Sequence, residues 1–119
     1  MVIGWMAVIF VGSSIPGTDM PSELPPDYMM HFLEYLILGL FTAYWANMDI
    51  FRKSSKASVL YASVIASGYA IVDELHQYFV PGRCTDPRDW LADTIGGLTG
   101  AIFLVVVMRV IKEKSWSRK

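Results

Sequence analysis

Four apolar stretches alternate with short polar connections along the chain. They cover residues 1–15, 29–46, 57–72 and 90–108. A membrane-spanning helix needs roughly 20 predominantly apolar residues, and the second and fourth stretches are close to that length. The third reaches it only if its helix continues through the sequence DELHQ at residues 73–77.

This pattern predicts an all-α membrane protein, a bundle of four transmembrane helices. The helices are expected at about residues 1–15, 28–47, 57–79 and 89–111. Because 119 residues suit one domain, the whole chain, 1–119, is expected to form a single transmembrane domain.

The first apolar stretch is short for a spanning helix. At about 1.5 Å per residue it covers roughly 22 Å of a hydrocarbon core about 30 Å thick. The shortfall implies either a locally thinned bilayer or a natural start upstream of Met1. A signal peptide is the rival interpretation, but the stretch has no basic leading region and no convincing small-residue cleavage site follows it.

Basic residues predict which way the helices run. The first connection, residues 16–27, contains three carboxylates and no basic residue. The second connection and the C-terminal tail carry most of the positive charge, at Arg52, Lys53, Lys56, Arg109, Lys112, Lys114, Arg118 and Lys119. Because basic connections stay in the cytoplasm, we expect both termini to face inward (N-in/C-in).

Composition narrows the class of protein further. Hydrophobic residues make up 54% of the chain and charged residues 18%, against about 25% charged in typical soluble domains. The net charge of −1 gives no electrostatic support for a nucleic-acid partner. Cys84 is the single cysteine, which excludes an intramolecular disulfide and a cysteine-based metal site.

The polar residues within the apolar stretches fall at one side of the predicted bundle. With alternating helix directions, the start of the second helix, the end of the third and the start of the fourth all face the extracytoplasmic side. Ionisable groups in a membrane normally face the bundle interior and pair with one another. The candidate functional residues of this layer are His31, Glu34, Asp73, Glu74, His76, Gln77, Asp89 and Asp93.

Helical spacing ranks some of these residues. Asp73, His76 and Gln77 share one helix face at i, i+3 and i+4. Glu74 lies about 100° further round the helix and is the residue least expected to share that face. Asp89 is a possible N-cap of the fourth helix.

Two further features flank this layer. The turn at residues 81–82 is expected to fold Arg83 back over it, where Arg83 would bind a carboxylate or phosphate ligand or pair with Asp73, Asp89 or Asp93. Gly96 and Gly100 form a small-xxx-small pair, typical of close helix packing either within the bundle or between copies in a homo-oligomer.

Three motifs carry a resemblance. They are Asp27-x-x-x-His31-Phe32-x-x-Tyr35, then Asp73-Glu74-x-x-Gln77-x-Phe79-x-Pro81-x-Arg83, and finally Asp89 ahead of Gly96-x-x-x-Gly100. Together they resemble the VanZ-like family of small bacterial membrane proteins over nearly the whole chain. The family usually has Lys at the position of Tyr28 and Asn at that of Asp93, so the local charge balance differs here.

The resemblance implies a multi-pass protein of the bacterial plasma membrane with its polar layer on the extracytoplasmic side. The namesake of the family is associated with low-level resistance to teicoplanin, a glycopeptide that binds cell-wall precursor termini outside the membrane. A contribution to glycopeptide resistance is therefore an expectation from resemblance.

Four functional hypotheses remain. The first is recognition of an envelope lipid or peptide head group, such as a lipid-linked cell-wall precursor or a glycopeptide. In this hypothesis Arg83 and His31 bind phosphate or carboxylate, and the acidic residues bind amines. The second is a membrane-embedded enzyme that uses acid–base or metal-assisted hydrolysis or transfer on a lipid-linked substrate. Its candidate metal ligands are His31, Glu34, Asp73 and Asp93.

The other two hypotheses are a polar latch without a ligand and a proton-coupled carrier. The carrier is the least favoured, because the inner halves of the helices lack ionisable residues. The sequence itself requires no cofactor. It favours head-group recognition over catalysis by a narrow margin.

Overall fold

The computed structural model describes residues 1–50 and 54–117. In these residues the fold is all-α, with four long or medium helices and no β-strand. They are α1 (Val2–Ser13), α2 (Asp27–Trp45), α3 (Ser55–Tyr78) and α4 (Pro87–Trp116), with a 3₁₀ turn at Gly17–Asp19 and a π-helical turn at Ala46–Ile50. Four basic residues used above to orient the chain lie outside the described residues: Arg52, Lys53, Arg118 and Lys119.

Side-chain caps explain where α3 and α4 begin. The Ser54 hydroxyl accepts a hydrogen bond from the amide of Ala57 at 3.2 Å, and α3 then runs through DELHQ as expected. Asp86 caps α4 by accepting from the amide of Arg88 at 2.9 Å, with Pro87 in the first turn. The expectation that Asp89 caps α4 is therefore wrong: Asp89 is a buried residue of the first turn.

The helices differ in their ability to cross a bilayer. Among the described residues, α3 and α4 are long and apolar enough to do so, judged by length and composition. α2 has 19 residues and does not meet that test. α1 has 12 residues, about 18 Å of helix, so it is shorter than the sequence pattern predicted. Four membrane spans remain a prediction.

Glycines bring α2 and α4 into the closest helix contact of the described fold. A Cβ on Gly96 would collide with the carbonyl of Phe32, and one on Gly100 with the carbonyl of Leu36. Gly39 faces Gly97 in the same way. Of the two packing roles considered for Gly96 and Gly100, the structure shows the one within the chain.

Two hydrogen bonds attach α1 to α2 and to α3 and show how the helices align. The Trp5 indole donates to the Glu34 carbonyl at 2.8 Å, and the Tyr69 hydroxyl donates to the Met6 carbonyl at 2.7 Å. The ends of α1 and α3 consequently lie beside the starts of α2 and α4. We call this part of the bundle the polar end. It lies next to a core of Ile9, Tyr35, Leu38, Ala66 and Ala70.

The connection between α3 and α4 closes over the polar end. Gly82 has φ +72°, a conformation that glycine adopts without a Cβ penalty. It packs against Gly17, whose amide donates to the carbonyl of Pro81 at 3.0 Å. The segment after α1 and the segment after α3 thus form a single cover, and Arg83 extends from it.

Candidate functional site

His31 lies at the centre of a buried line of four polar side chains from three helices. Its Nδ1 is 2.9 Å from Oδ1 of Asp93 on α4. Its Nε2 is 3.4 Å from the amide nitrogen of Gln77 on α3, which also donates to Oδ2 of Asp73 at 3.3 Å. None of the four is more than 3% exposed. The line connects α2, α3 and α4.

The contacts of the line fit one histidine tautomer. When Nδ1–H donates to Asp93, Nε2 carries a lone pair and accepts from Gln77. The two amide hydrogens of Gln77 then serve His31 and Asp73, and the amide oxygen is left over. His31 is thereby held in a fixed ring orientation by groups on two neighbouring helices.

Buried oxygens without hydrogen-bond partners lie in and around this line. In the part of the chain that the structure describes, they make no hydrogen bond to protein, although buried polar atoms nearly always do. They are the hydroxyl of Tyr35, Oδ1 of Asp73, Oε1 of Glu74, Oε1 of Gln77 and Oδ2 of Asp93. The site therefore offers acceptor atoms that the described side chains leave free.

Glu74 also reaches this site, although helical spacing places it off the face of Asp73 and Gln77. One of its carboxylate oxygens lies within 4.8 Å of ligand atoms of both His31 and Asp93. Glu74 also borders the start of α4, beside Pro87 and Trp90. It approaches from the α4 side, so it does not need to share the face of Asp73 and Gln77.

His76 is turned toward α1. Its Nε2 is 2.9 Å from the hydroxyl of Ser14, and its ring stacks on Phe10 with centroids 4.4 Å apart. Asp73, His76 and Gln77 were expected to share one inward face. Asp73 and Gln77 belong to the buried line, whereas His76 contacts the end of α1. It forms a separate polar contact at the rim.

Arg83 folds back over the polar end as expected, but its partners are different. It donates to the carbonyls of Ile15 and Gly12, both at 3.1 Å, and to Oδ1 of Asp27 at 3.4 Å. The expected pairing with Asp73, Asp89 or Asp93 is therefore not the one observed. Arg83 instead binds main-chain carbonyls at and just after the end of α1 and the exposed carboxylate of Asp27.

A cavity of about 200 Å³ opens below Arg83. Its polar lining includes Asp27, His31, Glu34 and Gln77. Glu34 is half-buried beside Gly12, and among the described residues its carboxylate has no hydrogen-bond or ion-pair partner. Three carboxyl groups line the cavity, from Asp19, Asp27 and Glu34, and among the described lining residues Arg83 is the one Arg or Lys.

Tyr35 is a site residue that the candidate list lacked. It is fully buried, and its hydroxyl is among the unpartnered oxygens. It follows His31 by four residues, which places both on one face of α2. That spacing was readable in the sequence, where Tyr35 stands in the first of the three motifs, although it was not counted among the candidate functional residues.

The fold and the site thus define a small all-α protein with two helices of membrane-spanning length and a buried polar cluster at one end. Its sequence matches the VanZ/LLP1 family over residues 1–109. The chain belongs to that family, as the three motifs had suggested. Neither curated proteins nor solved structures gave a significant match.

Proposed function

We propose that this protein is a four-helix, N-in/C-in protein of the bacterial plasma membrane whose polar end faces outward and binds the amine of an envelope head group. The observation that carries the proposal is the acidic cavity beneath Arg83, with Glu34 unpaired in its wall. A lipid or a cell-wall peptide could present such an amine. A contribution to glycopeptide resistance would follow if the head group belongs to a wall precursor.

The orientation rests on where the charges lie. Four of the six Lys and Arg residues in the described chain lie opposite the polar end, near the start of α3 and the end of α4, at Lys56, Arg109, Lys112 and Lys114; Arg83 and Arg88 lie at the polar end. The positive-inside rule places that end in the cytoplasm. α3 and α4 have membrane-spanning length, whereas α1 and α2 would need a thinned bilayer or interfacial anchoring.

We prefer an amine to a phosphate ligand because most donors of Arg83 already have partners within the chain. Three of its five N–H donors already serve two carbonyls and Asp27, and Nη2 also contacts the Met20 sulfur, so few donors remain for a phosphate. The Glu34 carboxyl group has no hydrogen-bond or ion-pair partner among the described residues. A primary amine supplies three donors and a positive charge, which suit a cavity rich in carboxylate oxygens better than an anion does.

Cys84 provides a direct test of the orientation. It is exposed in the connection at the polar end and is the single cysteine of the chain. We expect a membrane-impermeant maleimide to label it in intact cells. The control combines Cys84→Ala with Ser117→Cys, at the opposite end of α4, and should be labelled only after permeabilisation. The reverse pattern would contradict the proposed topology.

Glu34→Gln tests the amine site. The protein would be reconstituted in phosphatidylglycerol nanodiscs and titrated by calorimetry with glycerophosphoethanolamine, with an amine-bearing wall peptide and with glycerophosphoglycerol. We expect saturable binding of an amine probe and a roughly tenfold weaker affinity for Glu34→Gln, about 1.4 kcal/mol. The two amine probes separate a lipid from a peptide source.

Glu23→Gln is the matched control for this titration. It makes the same chemical change at an exposed residue that does not line the cavity, and it should bind as the unmodified protein does. Equal affinity for the amine and glycerol probes, or an unchanged Glu34→Gln variant, would refute the proposal.

A further inference from the structure

We propose that His31, Glu74 and Asp93 form a binding site for one divalent transition-metal ion, of the Zn²⁺ or Mn²⁺ type. Each comes from a different helix: α2, α3 and α4, respectively. One ring nitrogen and two carboxylate oxygens lie within 4.8 Å of one another. This site shares His31 with the amine cavity but lies beside it, because neither Glu74 nor Asp93 lines that cavity.

The donor set suits such an ion. Imidazole nitrogen favours Zn²⁺ and its neighbours, whereas carboxylate oxygens also accept Mn²⁺. Two carboxylates and a neutral imidazole balance a double positive charge without another residue. Metal–ligand distances of about 2.0–2.2 Å place ligand atoms roughly 3.4 Å apart, so side-chain adjustments of about 1 Å would close the set around an ion.

A second observation points independently to a ligand. Asp93 is fully buried, and its Oδ2 has no hydrogen-bond partner in the described chain, nor has Oε1 of Glu74. A buried carboxylate oxygen without a donor is costly. A cation between the two carboxylates would satisfy both atoms at once.

The immediate surroundings also resemble those of a metal ligand. Metal-binding histidines are usually oriented by a hydrogen bond at the other ring nitrogen. His31 has contacts at both nitrogens, Asp93 on one side and Gln77 on the other. For Nδ1 to bind the ion, the ring proton must move to Nε2, and the Gln77 amide must turn so that its unpartnered Oε1 accepts from Nε2–H. Gln77 would then orient the ring and give up its present hydrogen bond to Asp73.

A competing set shares His31 but fits less well. Asp27, His31 and Asp89 also place one ligand atom each within 4.8 Å of one another. However, Asp27 is exposed and already contacts Arg83. The His31–Glu74–Asp93 set has two unpartnered oxygens and lies deeper in the bundle, so we assign the ion to it.

The test measures metal on the full chain in phosphatidylglycerol nanodiscs. The protein would be stripped with chelator and titrated by calorimetry with Zn²⁺ and with Mn²⁺, and bound metal would be counted by mass spectrometry after gel filtration. We expect about one ion per chain for at least one metal. Glu74→Gln and Asp93→Asn should each weaken binding at least tenfold, and Asp27→Asn should leave it unchanged.

Two results would overturn the metal site. No stoichiometric binding of either ion to the unmodified chain overturns the site, as does a loss with Asp27→Asn that Glu74→Gln does not share. If Glu74→Gln fails to fold, Glu74→Asp replaces it. The rise in unfolding temperature of the unmodified chain on addition of Zn²⁺ also measures binding without any variant. Glu34→Gln separates the two proposals, because it should lose amine affinity and keep the metal.

Discussion

His31→Ala is expected to lower the free energy of unfolding by about 3 kcal/mol, measured on metal-stripped protein. The variant removes the hydrogen-bond partner of Asp93, 2.9 Å away, and leaves a fully buried carboxylate without a donor. It also removes one of the two groups that the Gln77 amide contacts. Denaturant unfolding in detergent, followed by circular dichroism, would give the loss.

A second substitution tests this reason. Asp93→Asn replaces the carboxylate by a neutral amide of the same shape, which is the residue that the family usually has at this position. We expect His31→Ala combined with Asp93→Asn to be more stable than His31→Ala alone, because the unpaired charge is gone. A coupling energy near zero between the two sites would contradict the pairing seen in the structure.

Gly100→Ala is the second large effect expected. A single added Cβ would collide with the backbone carbonyl of Leu36 on α2, and backbone atoms cannot move aside as a flexible side chain would. Pushing α2 and α4 apart should cost about 3 kcal/mol, the upper part of the range for overpacked cores. Lower expression and a lower unfolding temperature in detergent should accompany it.

Gly68→Ala is the matched control for that variant. Gly68 lies inside α3, and a Cβ there would meet nothing within 4 Å. Because alanine favours helix over glycine by up to about 1 kcal/mol, this variant should be neutral or more stable. Equal destabilisation by both substitutions would contradict the assignment of the Gly100→Ala cost to the α2–α4 contact, because a Cβ at Gly68 meets no neighbour.

Much of the fold was readable from the alternation of apolar and polar residues. The helix through DELHQ was predicted because residues 57–72 alone are too short to span a membrane, and α3 does run to Tyr78. The gathering of His31, Asp73, Gln77 and Asp93 at one end follows from the same alternation, because it sets which helix ends meet.

The details that failed depend on three-dimensional neighbours. A helical wheel places Glu74 away from Asp73, but a site enclosed by three helices can receive side chains from two faces of one of them. Arg83 donates to two carbonyls near the end of α1. Because these acceptors belong to the main chain, the residue types in the sequence do not reveal them. The start of α4 was misjudged although Asp86-Pro87 is a readable cap.

The length of α4 has a mechanical consequence. Its 30 residues form about 45 Å of unbroken helix, whereas the hydrocarbon core is about 30 Å thick. Asp93 lies in its second turn, and the basic residues lie at the other end. About 35 Å of this helix extends beyond Asp93, so a tilt of about 5° around the site would displace its far end by roughly 3 Å. A ligand that tilted α4 at the polar end would therefore also move the basic residues at its far end.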